Sequence, residues 1–478
     1  MQAEKNYRAS IRRRSQTGLR ERLLKGVGAQ GFSQAVQIII RLSEVPLLLS
    51  FWGAQLYGEW LMLSAIPVYL SISDGGFTGA ACHEMTIRSR QRDRNRILAV
   101  FQSTWVLLIE ASIVTFILAF VFLQFVSMED WLGFSILRGN DTEMIFLILV
   151  VHVLVSFQGG LLRGGFWIAG CYSNSTYFMA LTQLIEFAGL AIMVILGRGP
   201  VQAAFGYLIG RMMGTGLMWM GQRKVSSWLK HGLKHASWTE INRLSKPALS
   251  SLAFPLGNAL NVQGMRLVVG IVLGPSAVAL FVPLRTLSRV VMQPANIISR
   301  LIEPELALAF GSKDSFLFHQ LFTKSCQAAL WGCLAACIII VPFSAWFFPA
   351  WTDGKLLIHW PVYFLLLSGV LINSLWNTAM MVPYAINRHM YISIYYIVVY
   401  GISTVGLGFP GAACIGLSGA ALSLVIAEVA MAMIVIRITL QMDKTSMVEW
   451  VKVVLKPFFI LFEGLGKGIW KNDPVSPE

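Results

Sequence analysis

The sequence predicts an all-α polytopic membrane protein of about 12 transmembrane helices. These form two six-helix lobes related by a parallel repeat. Three observations carry this. First, of 478 residues 56% are hydrophobic and 13% charged, whereas a soluble chain carries roughly 25% charged residues. Second, apolar stretches recur at 27–50, 56–82, 97–127, 144–169, 175–197, 200–221, 247–273, 276–300, 323–348, 357–384, 389–413 and 415–440. Each reaches the roughly 20 residues that cross a hydrocarbon core of about 30 Å. None alternates with the period of a barrel strand, so only helices can satisfy the backbone in lipid. Third, the basic residues sort by side.

Net charge is +14, which in a soluble chain would raise nucleic acid as a partner. Here the basic residues gather instead at the N-terminus (Arg8, Arg12, Arg13, Arg14 and neighbours), at the C-terminus, and in loops after even-numbered stretches (Arg88 to Arg96; Arg223 to Lys246). The alternate loops hold Arg138, Arg198 and Lys355 beside Glu129, Asp130, Asp141 and Glu143. The positive-inside rule therefore puts both termini in the cytoplasm, and no nucleic-acid partner is expected. The basic region is too long, and the first apolar stretch too charged with Arg41 and Glu44, for a cleaved leader. The six cysteines form no Cys-x-x-Cys pair, so neither a disulfide framework nor a metal site is expected.

Five regions follow in order: 1–26, a basic cytoplasmic N-terminus; 27–221, the first lobe; 222–246, a basic cytoplasmic linker; 247–440, the second lobe; and 441–478, an amphipathic segment and tail. A gapless shift of 221 lays Lys25 on Lys246, Gly53 on Gly274, Glu84 on Glu305 and Asp93 on Asp314. After the third stretch the shift becomes 217, laying Gly199 on Gly416. Each half has an even number of stretches, so the halves share one orientation, as in several transporter families. In 443–472, Trp450, Val451, Val454, Phe458 and Phe462 alternate with Lys452 and Lys456. That pattern fits a helix lying on the cytoplasmic membrane surface.

A charge at the centre of a span costs about 2.5–3.5 kcal/mol and normally faces the bundle interior or water. In the first stretch Gln30, Gln34, Gln37, Arg41 and Glu44 fall three or four apart, on one helical face. In the eighth, Arg285, Arg289, Gln293, Asn296, Arg300 and Glu303 do the same, and the seventh adds Asn258, Asn261 and Arg266. The second adds Asp74. The first and seventh stretches are equivalent in the repeat, as are the second and eighth, so matching helices are expected to line a shared cavity. Five arginines (Arg41, Arg266, Arg285, Arg289, Arg300) outnumber the carboxylates Glu44, Asp74 and Glu303. This balance suits an anionic ligand, since arginine makes bidentate bonds to phosphate. Pairing of Arg41 with Glu44 and of Arg300 with Glu303 within their own helices is the alternative for those residues. Glu110, Glu186, Arg211 and Glu428 are further buried charges. Arg211 and Glu428, equivalent under the second shift, serve an ion pair, proton coupling or helix packing.

No phosphate loop, His-Glu-x-x-His or Gly-x-Ser-x-Gly motif occurs, and the loops are too short for a catalytic domain, so an enzyme is not expected. Phe51-Trp52-Gly53, Tyr57-Gly58-Glu59-Trp60, Asp74-Gly75-Gly76-Phe77 with Glu84, and Leu284-Arg285-Thr286-Leu287 through Pro304-Glu305-Leu306 resemble the corresponding stretches of a known family. That family is the bacterial polysaccharide flippases, the Wzx-like branch of the multidrug/oligosaccharidyl-lipid/polysaccharide (MOP) exporter superfamily. The resemblance implies a cytoplasmic (inner) membrane transporter for a polyprenyl-pyrophosphate-linked oligosaccharide, such as an O-antigen, capsule or exopolysaccharide unit. It implies membrane lipids, a polysaccharide polymerase and a chain-length regulator as partners. It calls for no cofactor, with H⁺ or Na⁺ coupling left open. A cation-coupled multidrug antiporter of the same superfamily should have an acid-rich cavity. A peptidoglycan lipid-precursor flippase usually has two further spans. A glycan ligase or polymerase tends to carry a large outer loop with catalytic residues. Reporter fusions test the topology: a periplasm-active phosphatase should be silent when fused at 235 or after 440 and active within 133–139. Activity at both kinds of site would overturn it.

Overall fold

The computed structural model describes residues 2–456 except 75, 91, 92, 313, 387, 389 and 444. The expectations for 457–478, for Arg92 and for the side chains of the N-terminal arginines lie outside the described residues. Among the described residues every regular element is helical.

Helix α1 runs Gln2–Leu70 and is broken at Gly53. A 3₁₀ turn at Ser71–Asp74 leads into α2 (Phe77–Arg90). Then come α3 (Arg94–Phe125), the short α4 (Met128–Leu132), α5 (Asn140–Ile168), α6 (Tyr172–Ile195) and α7 (Pro200–Val225). The seventh stretch is α8 (Trp238–Ala259), a π-helical turn at Leu260–Gly264, and α9 (Met265–Leu273). The eighth is α10 (Pro275–Val290) and α11 (Gln293–Gly311), bent by 51°. The ninth is α12 (Ser315–Trp351), and the tenth α13 (Trp360–Ala379) with α14 (Met381–Ala385). The eleventh is α15 (Met390–Gly401), a π-helical turn at Ile402–Leu407, and α16 (Gly408–Ile415). The twelfth is α17 (Leu417–Asp443), followed by α18 (Met447–Val454).

Among the described residues nine helical runs are long and apolar enough to cross a membrane, and the bent α10–α11 pair makes a tenth. One of the nine, Gly28–Leu70, is 43 residues long and holds two expected spans, because Gly53 turns the chain (φ 73°, ψ 175°). Helix α7 is 26 residues long but carries Arg211, Arg223 and Lys224, which keeps it below that apolarity. All twelve expected stretches are therefore helical.

The repeat is visible in local chemistry. Gly274, the counterpart of Gly53, turns the chain the same way (φ 89°, ψ 166°), a conformation that only glycine adopts freely. Asp93 caps α3 by accepting from Arg96 N at 3.1 Å. Its counterpart Asp314 caps α12 by accepting from Leu317 N at 2.9 Å. Each cap satisfies one of the backbone donors left over at a helix start. Gln102 of α3 donates to the Lys230 carbonyl at 3.0 Å, and Gln327 of α12 donates to the Lys456 carbonyl at 2.8 Å. In each half, the segment after the sixth helix returns to the N-terminal end of the third.

The chain divides into two compact units, Met1–Leu256 with Trp351–Lys355, and Gly257–Ala350 with Leu356–Glu478. The first unit holds the linker and the start of α8. Arg243 of α8 meets Glu84 of α2 at 2.7 Å, Glu84 also accepts from Arg88 at 2.6 Å, and Arg243 pairs with Glu240 at 2.7 Å. Burial works to raise the Glu84 pKa, but the hydrogen bonds and charges of Arg88 and Arg243 outweigh it and hold the carboxyl below the usual carboxylate range. The network therefore loses strength only as pH falls through that lowered value. Trp351–Lys355 belongs to the first unit because Lys355 donates to the carbonyls of Leu49 (2.9 Å) and Ser50 (3.1 Å), just before the Gly53 break. A cation there complements a helix C-terminus.

Helices α6 and α7 approach along Gly206, Gly210 and Gly214, spaced four apart. A Cβ at Gly206 would meet the Gly189 carbonyl, and one at Gly210 would meet the backbone of Glu186. Small residues at this spacing let membrane helices pack backbone to backbone.

At the opposite end of α1, Glu59 is fully buried. Its carboxylate accepts from the backbone N–H of Ser135 (2.8 Å), Ile136 (3.0 Å) and Leu137 (2.7 Å), and from the side chains of Ser135 (3.1 Å) and Gln55 (3.2 Å). The loop after α4 is thus folded around one buried carboxylate. Glu59→Ala leaves three amides unpaired and should cost on the order of 3 kcal/mol, read as a lowered thermal midpoint of the detergent-solubilised protein. An unchanged midpoint would contradict this role.

Candidate functional site

The two units each hold a charged centre among their helices. In the first, the close α6–α7 packing brings Arg211 Nε to 2.9 Å from Glu186 Oε1. His152 of α5 lies 3.3 Å from the other Glu186 oxygen and stacks on Tyr207 at 4.1 Å. Glu44, Glu186 and Arg211 all lie within electrostatic reach of Tyr207. Beside this cluster is a cavity of about 350 Å³, with Asp74, Ser156, Arg163, Gln183, Arg211 and Thr215 on its walls. Asp74 accepts from Gly76 N at 2.8 Å, a local turn that fixes its carboxylate at the end of the 3₁₀ segment.

In the second unit the π-helical turn at Leu260–Gly264 creates the centre. Its wider pitch frees carbonyls from the α-helical ladder. The Leu260 carbonyl accepts from Thr404 Oγ1 at 3.3 Å, and the Asn261 carbonyl accepts from Arg285 NH1 at 2.9 Å. The Asn261 side-chain oxygen accepts from the other Arg285 terminal nitrogen. Arg266 donates to Gln263 at 3.0 Å. Arg266, Arg289 and Glu428 all lie within electrostatic reach of Arg285. Glu428 accepts from Tyr400 Oη (2.6 Å), Trp376 Nε1 (2.8 Å) and Asn373 Nδ2 (2.9 Å). Three neutral donors hold that carboxylate, so its charge does not consume the arginine forks. Arg289 is exposed; its carbonyl accepts from Met292 N at 3.1 Å, and among the described residues its guanidinium makes no hydrogen bond or ion pair. Three arginines around one carboxylate leave a positive excess.

Of the residues singled out in the sequence, the structure brings Arg266, Arg285, Arg289, Asn261 and Glu428 together. Arg41 is exposed on α1, with Gln37 and Glu44 partly buried. Asn258, Arg300 and Glu303 are exposed and Asn296 is partly buried. No ion pair joins Arg300 to Glu303 among the described residues. Arg211 and Glu428 each find partners within their own unit. Glu110 is corrected: expected as a buried charge, it is exposed on α3. Sequence spacing missed Arg163 and His152. Each is a lone polar residue in a long apolar run, and only the tertiary fold shows what it faces.

The fold has known counterparts. A multidrug resistance MATE family transporter of the MOP superfamily, in an inward-facing conformation, is 15% identical over 86% of this chain and 98% of its own, with a TM-score of 0.64. The lipid II flippase MurJ is 14% identical over 93% of each chain, with a TM-score of 0.66. The chain has the MOP transporter fold. A MOP superfamily transporter from Pyrococcus furiosus, described by the reverse polarity of its binding pocket, is 14% identical over 89% of this chain and 96% of its own, at a TM-score of 0.58. No protein-family model and no curated protein matches the sequence.

Breaking a buried pair strands the remaining charge and costs about 3–5 kcal/mol. Arg211→Ala should therefore destabilise strongly, while Arg211→Ala combined with Glu186→Gln should cost less than the single change. Unfolding midpoints of the single and double variants check this; additive losses would contradict the pair.

Proposed function

We propose that this protein is a transporter that flips a polyprenyl-pyrophosphate-linked oligosaccharide from the inner to the outer leaflet of the bacterial cytoplasmic membrane. The observation that carries the reading is the arginine excess of the second unit: Arg266, Arg285 and Arg289 around a carboxylate already saturated by neutral donors. A pyrophosphate carries several acceptor oxygens in the geometry that guanidinium groups bind bidentately. Arg285 is held rigidly by Asn261, whereas Arg289 keeps its fork for substrate. A cationic drug would meet like charge here, which weighs against the multidrug reading.

Transport proceeds by alternating access. The arginines hold the pyrophosphate while it leaves water, and the prenyl chain stays in lipid, so the headgroup's charge is never exposed to hydrocarbon. The resemblance of Leu284 through Leu306 to polysaccharide flippases supports a glycan headgroup. No bound cofactor enters this scheme, and coupling to H⁺ or Na⁺ remains compatible with it. A polymerase and a chain-length regulator would then receive the flipped unit.

Deleting the gene should abolish surface glycan and build up the lipid-linked intermediate in the inner leaflet. In complementation, Arg289→Ala should lower glycan export about ten- to hundredfold, as expected for loss of a charge-assisted bond worth about 1.5–3 kcal/mol. Arg289→Lys should recover part of it, with membrane levels of protein unchanged. Normal surface glycan in the deletion strain would overturn the proposal.

A further inference from the structure

Helix α3 carries a charge that the transport scheme does not use. It buries the face formed by Leu108, Thr115, Ala119 and Leu123. Glu110 lies on the opposite face, exposed, at the head of a strip formed by Ile113, Val114, Ile117 and Val121, which are also exposed. Helices α2 and α5 pack against α3. Glu110 is 16 residues from Arg94, at the helix start, and 15 from Phe125, at its end, which puts it about 24 Å along the helix, near mid-membrane depth. Among the described residues it has no hydrogen-bond or ion-pair partner, and its side chain is too short to reach an interface from that depth.

An ionisable group at this depth is normally turned toward protein or water and paired. Glu110 instead stands at the head of an exposed apolar strip. Such a strip with one acidic residue at mid-membrane depth has the form of a helix–helix interface in a membrane, where a single polar contact fixes partner and register. We infer that the outer face of α3 docks a transmembrane helix of another protein, and that this helix carries a lysine or arginine at mid-membrane depth to meet Glu110. A second copy of this chain would bring a second carboxylate to the same depth, so like-charge repulsion disfavours it.

The test uses the full-length protein in its native membrane. A photoreactive phenylalanine analogue is placed at Ile117, and at Ile338 of α12 as an equally apolar, exposed control. The expected result is a protein adduct from position 117 but not from 338. Mass spectrometry should identify the captured peptide as a transmembrane segment with Lys or Arg in its middle third. The adduct should be lost in Glu110→Leu, which keeps helix propensity and eases membrane insertion. It should return when Glu110→Lys is combined with an acidic substitution of the partner's basic residue. Capture of lipid alone, of a second copy of this chain, or of a segment without a basic residue would overturn the inference, as would an adduct unaffected by Glu110→Leu.

Discussion

An ionised group surrounded by hydrocarbon must find an opposite charge, a full set of hydrogen bonds, or water, and the helices here are arranged around that requirement. The first two solutions both appear. Glu59 is held by backbone amides of the loop after α4 and by side-chain donors, and so decides where that loop sits. Glu186 is met by Arg211 and His152, which needs α6 and α7 in backbone contact and therefore glycines at their crossing. Glu428 takes three neutral donors, which leaves the nearby arginines in excess. An ordinary bundle would cancel its buried charge. This one keeps a positive remainder in one unit, and the proposed function rests on that remainder.

The doubled architecture explains where specialisation occurred. Helix starts, turns and the return of the post-sixth segment are the same in both halves: Asp93 and Asp314 cap, Gly53 and Gly274 turn, Gln102 and Gln327 hold a lysine carbonyl. The charged interiors differ. Arg211 in one half stands where Glu428 stands in the other, and π-helical turns are found in the second unit among the described residues. The shared features set the frame, and the unshared ones set the chemistry.

Hydrophobic length and the side of the arginines made the helices legible in the sequence, because bilayer thickness imposes a one-dimensional rule. The repeat was legible through Gly53 and Asp93, whose counterparts serve the same backbone purpose. The arginines of the seventh and eighth stretches were legible because they recur at helical spacing. Arg163 and His152 were not, since one polar residue in an apolar run has no periodicity. Glu110 misled for the same reason: hydropathy reports depth in the membrane, not which way a helix face points. The role of Asn261 was hidden because a π-helical turn has no sequence mark, and only that turn frees its carbonyl for Arg285.

The central claim is that the second unit's arginines bind an anionic, lipid-borne headgroup. The most direct measurement is binding of a short prenyl pyrophosphate to the purified protein in nanodiscs, by calorimetry, beside the matching prenyl alcohol. The account predicts saturable binding of the pyrophosphate, none of the alcohol, and loss of binding when Arg266, Arg285 and Arg289 are together replaced by glutamine in a protein that still elutes as a single folded species. Equal binding by the triple variant, or equal binding of the alcohol, would contradict it.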